Sequence, residues 1–244
     1  MNLIIDQGNT GTKYATVDEK GNIILKRSTV ELELEVLREF LAENPGGHVL
    51  ISSVKKEYAE IKALPGNTNA IVFFDDNCRL PLTNLYATPK TLGKDRLAGV
   101  CGAMVLFPGE NCLVIDAGTC ITYDFIDAEK NYHGGSISPG LTMRFKAMHE
   151  FTGKLPLAAP EWPVDFTGNT TLTSLQTGVA FGMVGEINSF ISLYKSRWNG
   201  LKVLMCGGDT EFLAKRCESE IFAAPDLVIS GLNEILKYNL PHVA

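Results

Sequence analysis

One short pattern occurs twice in this chain. Leu3-Ile4-Ile5-Asp6-x-Gly8-x-Thr10 and Leu113-Val114-Ile115-Asp116-x-Gly118-Thr119 lie 110 residues apart in a sequence of 244. In each, an apolar run meets an acid, then a glycine and a threonine. The apolar run reads as a strand, and the glycine marks a tight turn where that strand ends. Each copy is followed by two more strand-like runs and a helix-like stretch. A duplicated unit, with its turns facing one cleft, accounts for both copies. The expected fold class is therefore α/β, in two lobes that each carry a mixed β-sheet and helices. The boundary is expected near Pro108-Gly109, giving lobes 1–108 and 109–244.

The intervening sequence supplies the elements. Strand-like runs at 3–5, 13–17 and 22–26 are separated by turn residues. An amphipathic helix is expected over 31–43, with Leu34, Leu37, Phe40 and Leu41 on one face. Strands at 48–52 and 70–74 and a helix over 91–107 complete the first half. The second half offers strands at 111–116, 120–126 and 132–137, a helix over 141–150 and a loop over 153–168. A long helix over 171–194 follows, then a strand over 201–206 that ends in Gly207-Gly208. A closing helix over 225–238 can pack back on the first lobe.

Composition removes several function classes. A formal charge of −6 argues against nucleic-acid and anionic-membrane partners, which need a basic face. No apolar run approaches the roughly 18 to 20 residues of a membrane span. The N-terminus meets Asp6 with no basic region before it, which excludes a secretory signal. None of the six cysteines is spaced as CxxC, and the four histidines are dispersed. The expectation is a cytoplasmic protein with reduced, mostly buried thiols and no transition-metal centre.

The first turn has the chemistry of an anion site. Gly8 and Gly11 allow close backbone approach, and successive N–H groups in such a turn form a concavity for phosphate. Asn9, Thr10 and Thr12 add side-chain donors, Lys13 adds a positive charge, and Asp6 is placed to hold Mg²⁺ directly or through water. Gly-Asn-Thr-Gly is equally good chemistry for an ordinary hairpin. Neither GxxxxGK[ST] nor GxGxxG is present, so a phosphate site here would be a hairpin rather than a loop capped by a helix.

Four motifs follow one another along the chain: Asp6-x-Gly8-Asn9-Thr10-x-x-Lys13, Gly93-x-Asp95-Arg96, Asp116-x-Gly118-Thr119 and Gly134-Gly135-x-Ile137-x-Pro139-Gly140. Taken in that order they resemble the type III pantothenate kinases, members of the superfamily of acetate kinase, sugar kinases, heat-shock chaperones and actin. Tyr86 before Gly93, and Gly168-x-x-Thr171 before Gln176-x-Gly178, also fit. The set spans residues 6 to about 208, nearly the whole chain. Each motif alone is weak, but the ordered set is specific.

The resemblance implies a duplicated ribonuclease-H-like, actin-like ATPase fold and transfer of the ATP γ-phosphoryl group to pantothenate. It implies ATP with Mg²⁺, a monovalent cation (K⁺ or NH₄⁺) and a homodimer with the substrate site close to its interface. By that pattern Asp6, Gln7, Gly8, Asn9, Thr10, Gly11, Thr12, Lys13 and Thr119 hold ATP, and Asp116 helps bind the monovalent cation. Asp95 is the general base, and Tyr86, Gly93, Lys94, Asp95, Arg96 and Thr171 contact pantothenate. Gapless counting back from Gly178 selects Thr171, and one inserted residue selects Thr170 instead. Lys94 departs from the small apolar residue of the family, and either adds charge near the substrate carboxylate or points to solvent. Cys120 stands where the family commonly has Ala.

Each feature has a plainer explanation. Asp95 is also a favourable acid at a helix N-terminus, and Asp116 a strand-end acid in a turn. Gly134-Gly135, Pro139-Gly140 and Gly207-Gly208 are also tight-turn architecture, and Trp162 and Phe166 are also packing or dimer contacts. The alternative functions are a kinase of the superfamily for another small hydroxyl substrate, or a non-catalytic, regulatory nucleotide-binding relative.

Overall fold

The computed structural model describes residues 1–8, 11–53 and 71–240. Asn9 and Thr10 of the first turn and Ala70 of the expected fifth strand lie outside the described residues. In chain order the elements begin with β1 (Asn2–Gln7), β2 (Thr12–Val17), β3 (Ile23–Thr29), α1 (Leu34–Glu43) and β4 (His48–Ser53). They continue with β5 (Ile71–Phe73), β6 (Thr83–Asn84), α2 (Lys94–Leu106), β7 (Cys112–Ala117), β8 (Cys120–Ile126) and β9 (Asn131–Pro139). The chain then forms α3 (Leu141–Glu150), α4 (Thr171–Arg197), β10 (Lys202–Cys206), α5 (Thr210–Leu213), β11 (Phe222–Ala223) and α6 (Leu227–Asn239).

The chain divides into two units: Met1–Leu82 with Lys90–Val105 and Val228–Ala244, and Thr83–Pro89 with Leu106–Leu227. The first unit is built on a sheet of order β3-β2-β1-β4-β5. Strands β1, β2 and β3 are antiparallel, while β4 and β5 run parallel to β1. Alternate side chains of the central strands serve opposite faces. Leu3, Ile5, Val49 and Ile51 meet Leu37 and Phe40 of α1, while Ile4 and Leu50 are fully buried on the other face. Asn2 of β1 donates to Asn233 of α6 at 2.9 Å, joining the two buried amides. Helix α6 crosses α2 where a Cβ on Gly231 would overlap the Ala98 carbonyl and lie 2.7 Å from the Gly102 nitrogen.

The second unit repeats the plan. Its sheet has the order β11-β10-β7-β8-β9-β6. Strands β7, β8 and β9 are antiparallel, and β10 runs parallel to β7. Without the edge strand β6, the order β9-β8-β7-β10-β11 matches that of the first sheet. Asp6 pairs with Lys13 and Ser52, and Asp116 occupies the same place between Thr122 and Cys206. The covering helices are α3 and α4, which bury Leu141 and Phe145, and Leu175, Val179, Met183, Ile187 and Ile191. That four-residue spacing is one face of a helix. Thr170 and Thr173 cap α4 reciprocally, satisfying backbone groups that a helix start leaves open.

Two expected boundaries shift. The first helix begins at Leu34 rather than 31, because Glu33 is held extended with its N–H donated to the Tyr14 hydroxyl at 2.6 Å. Helix α2 begins at Lys94, after a 3₁₀ turn over Pro89–Thr91. The two-residue strands β6 and β11 are too short to carry a period. Among the described residues no helix is long and apolar enough to cross a membrane.

Gly231→Ala tests the α2–α6 crossing. Helix propensity favours alanine by about 1 kcal/mol, but the obstructing atoms are backbone and cannot turn aside. A net loss of about 1–3 kcal/mol is expected in denaturant unfolding; equal or greater stability would show that the helices separate freely.

Candidate active site

The first cluster lies where β1 leaves its sheet. Gly8 N–H donates to the Gly11 carbonyl at 3.0 Å, closing the turn, and Ser53 donates to Gln7 Oε1 at 2.6 Å. Thr12 is buried, and its hydroxyl oxygen has no hydrogen-bond partner among the described residues. Burial, the largest influence, pushes the Asp6 carboxyl above the ordinary carboxylate range. Lys13 lowers it, the Asp95 charge raises it, and the Ser52 hydrogen bond lowers it. The first unit thus gathers Asp6, Lys13, Ser52 and Asp95 into one electrostatic neighbourhood.

Asp95 sits in the first turn of α2 and is exposed, its Oδ1 accepting the Arg96 N–H at 2.9 Å. Gly93 leaves room for this: a Cβ there would overlap Asp95 Oδ1. Arg96 is buried. The Lys94 ammonium lies over the buried Phe74 ring at 5.9 Å from the centroid. A cation above an aromatic face is attracted by the ring quadrupole.

The second cluster is its counterpart at the end of β7. Asp116 is half-buried and Thr119 is exposed. The Gly118 N–H donates to the Cys120 carbonyl at 2.9 Å, and the Thr119 carbonyl accepts from Gly140 at 3.2 Å. Gly207 has φ +91°, and a Cβ there would overlap the Ala117 carbonyl and lie 2.5 Å from Asp116 Oδ1. Asp209, which no sequence motif singled out, donates its N–H to the Ala117 carbonyl at 3.0 Å. Burial raises its carboxyl above the usual range, against a lowering contact with the Leu141 N–H.

Two further features complete the second unit. The Tyr86 ring lies against Gly134, where φ is +93° and a Cβ would be 2.8 Å from the ring. It also faces Tyr132 at 6.3 Å, whose hydroxyl donates to the buried Asp124 at 2.6 Å. A cavity of about 640 Å³ opens at the start of α4, with Met148 and Leu155 as apolar lining and Thr170, Thr171 and Ser174 among its polar groups. Thr170 Oγ1 is engaged by Thr173 within the helix cap, whereas Thr171 is exposed at the same cavity.

Duplicated sheets of this order, each with an acid at the end of its central strand, define the actin-like ATPase fold shared by sugar kinases. Two solved structures match it: a Campylobacter jejuni protein described as a candidate Baf-family transcriptional activator, and a Sinorhizobium meliloti protein described as a candidate 2-dehydro-3-deoxygalactonokinase. The first has TM-score 0.63 at 22% identity over 97% of this chain and 98% of that one. The second has TM-score 0.63 at 14% identity over 99% and 100%. The sequence model of the type III pantothenate kinase family matches residues 2–193. Type III pantothenate kinases from Bacteroides fragilis and Phocaeicola vulgatus are each 42% identical to this chain, over 98% of it and 98–99% of their own lengths. One from Flavobacterium johnsoniae is 38% identical over 98% and 99%. The chain belongs to the type III pantothenate kinase family.

The raised Asp6 carboxyl gives a pH prediction with a definite sign. Its native pKa lies above its unfolded value, so ionising Asp6 costs folding free energy as pH rises between the two. Asp6→Asn should therefore be more stable than the parent at neutral pH without nucleotide, with the advantage disappearing in acid. It should bind ATP more weakly, and the acid limb of kcat/KM for ATP should flatten. Parallel melting curves and pH–rate profiles would check this; a destabilised variant with parental ATP kinetics would contradict it.

Proposed function

We propose that the chain transfers the γ-phosphoryl group of ATP to the primary hydroxyl of pantothenate, giving 4′-phosphopantothenate, the first committed step towards coenzyme A. Similarity to type III pantothenate kinases along 98% of the chain carries this reading. The exposed Asp95, electrostatically linked to Asp6, supports it. In this reading residues 6–13 and Thr119 hold the ATP phosphates, and Tyr86, Gly93, Lys94, Arg96 and Thr171 contact pantothenate. The Thr170 hydroxyl is committed to the helix cap, which favours Thr171. Asp95 takes the hydroxyl proton as the oxygen bonds to the γ-phosphorus and the bridging bond to ADP breaks. Arg96 supplies a guanidinium to the substrate carboxylate or the phosphoryl oxygens.

The residues present fit the cations that the reading requires. The half-buried Asp6 carboxylate, near Asp95, suits a divalent ion bound by oxygen, and Asp6 would hold Mg²⁺ through water. Asp116 Oδ1 and the Ala117 carbonyl both border the Gly207 position, hard oxygens of the kind that would hold K⁺ or NH₄⁺. Both cations offset phosphate charge. A homodimer is supported by the exposed face of α4, where a Cβ on Gly178, Gly182 or Gly185 would meet open space and Phe181 and Leu172 are exposed. Such small residues permit close helix approach, and Gly178 also borders the cavity that Thr171 lines. The free thiols among the described residues agree with a cytoplasmic enzyme.

A coupled assay of ADP formation should show turnover that depends on pantothenate and is greater with K⁺ or NH₄⁺ than with Na⁺ alone. Absence of pantothenate-dependent turnover under every cation would remove the central reading. Asp95→Asn should lower kcat about 10²- to 10⁴-fold with ATP affinity largely kept. Normal turnover by that variant would remove Asp95 as the base.

A further inference from the structure

Four side chains with no role above meet beside the second phosphate turn. Glu186 of α4 accepts from the Tyr123 hydroxyl of β8 at 2.9 Å, Ser138 of β9 at 3.2 Å and Arg144 of α3 at 2.5 Å. The same guanidinium donates through Nε to the Pro139 carbonyl at 2.8 Å and through Nη2 to Ser138 Oγ at 3.1 Å. The Arg144 and Glu186 side chains are 21% and 22% exposed. Burial and then Glu186 push the Tyr123 phenol up, keeping it a donor, and its ring stacks on Phe190 of α4 at 4.1 Å.

A partly buried ion pair contributes little net stability, because desolvation offsets its attraction. Its planar fork does fix geometry. Arg144 and Glu186 grip Ser138 and Pro139 from α3 and α4, and the next residue is Gly140. The Gly140 N–H bonds the Thr119 carbonyl at 3.2 Å, and a Cβ there would overlap the Gly118 carbonyl and lie 2.5 Å from that of Thr119. Register continues the contact, pairing Pro139 with Cys120 and Ser138 with Ile121. The Gly118-Thr119 backbone therefore rests directly on the gripped segment.

We infer that Arg144 and Glu186 are positioning residues for the nucleotide: by clamping Ser138-Pro139-Gly140 they fix the Gly118-Thr119 turn and so hold the Thr119 hydroxyl where it meets the ATP phosphates. This rests on the proposed role of Thr119. Neither residue touches ATP; each acts through the turn. A guanidinium is needed because an ammonium at 144 cannot span the Pro139 carbonyl, Ser138 and Glu186 in one plane.

Steady-state kinetics on the full chain with ATP and pantothenate varied separately tests this. Arg144→Met should raise KM for ATP roughly ten- to hundredfold, as a displaced binding backbone does, with KM for pantothenate within about twofold. Arg144→Lys should recover only part of the loss. Glu186→Gln keeps the side-chain shape and should raise KM for ATP several-fold, deciding the matter if Arg144→Met fails to fold. Unchanged KM for ATP in folded Arg144→Met and Glu186→Gln overturns the inference. So does an equal rise in both KM values with a lowered Tm, which would mark a purely structural pair. Thr119→Val separates the two levels. If it leaves KM for ATP unchanged, the phosphate role of the turn falls and the clamp falls with it. If it raises KM for ATP while the clamp variants do not, only the clamp is wrong.

Discussion

The two central strands are buried on both faces, and the placement of every charged group follows from that. Leu3, Ile4 and Ile5 in β1, and Leu113, Val114 and Ile115 in β7, are essentially inaccessible. A charge within either run would lose its hydration without compensation. The first tolerable position for an acid is where the strand emerges, and there stand Asp6 and Asp116, both half-buried. Each central strand has a parallel neighbour on one side only, so the carboxyl ends of that pair open together. In open α/β sheets those ends are where ligands bind.

Emergence from the sheet does not remove the electrostatic cost. Burial keeps the Asp6 carboxyl raised, even though Lys13 lowers it by more than the Asp95 charge raises it and the Ser52 hydrogen bond lowers it further. A chain selected for stability alone would place an amide there. In the proposed reading a cation held at Asp6 would supply the missing attraction. Thr12 fits the same account: its buried hydroxyl finds no partner among the described residues, although buried polar groups are ordinarily satisfied.

Local order was legible in the sequence because strands and helices have periods. The apolar runs, the spacing of Leu175, Val179, Met183, Ile187 and Ile191, and the Asp-x-Gly-Thr echo all lie within short windows. Long-range pairing leaves no such mark. Ser52 and Ser53 matter because β4 lies beside β1, and Asp209 because β10 lies beside β7; both are ordinary polar residues until the strands are paired. Arg144 and Glu186 are 42 residues apart, and no periodicity joins them. The Lys94 ammonium lies over Phe74, 20 residues upstream in the sequence, a pairing that no local period announces.

Glycines and acids also carry different kinds of information here. The fold alone requires Gly207: φ is +91°, and the Ala117 carbonyl and Asp116 carboxylate occupy the space of a side chain. Gly140, against Gly118 and Thr119, is required in the same way. A residue that its own fold demands says nothing about a ligand. Asp95 is the opposite case, exposed, its carboxylate accepting the N–H of the next residue, with a charge that raises the neighbouring Asp6. A helix start favours an acid at that position, but the Asp6 carboxylate is made less favourable by it, so among the motif residues Asp95 supports the proposed phosphoryl transfer more than any glycine does.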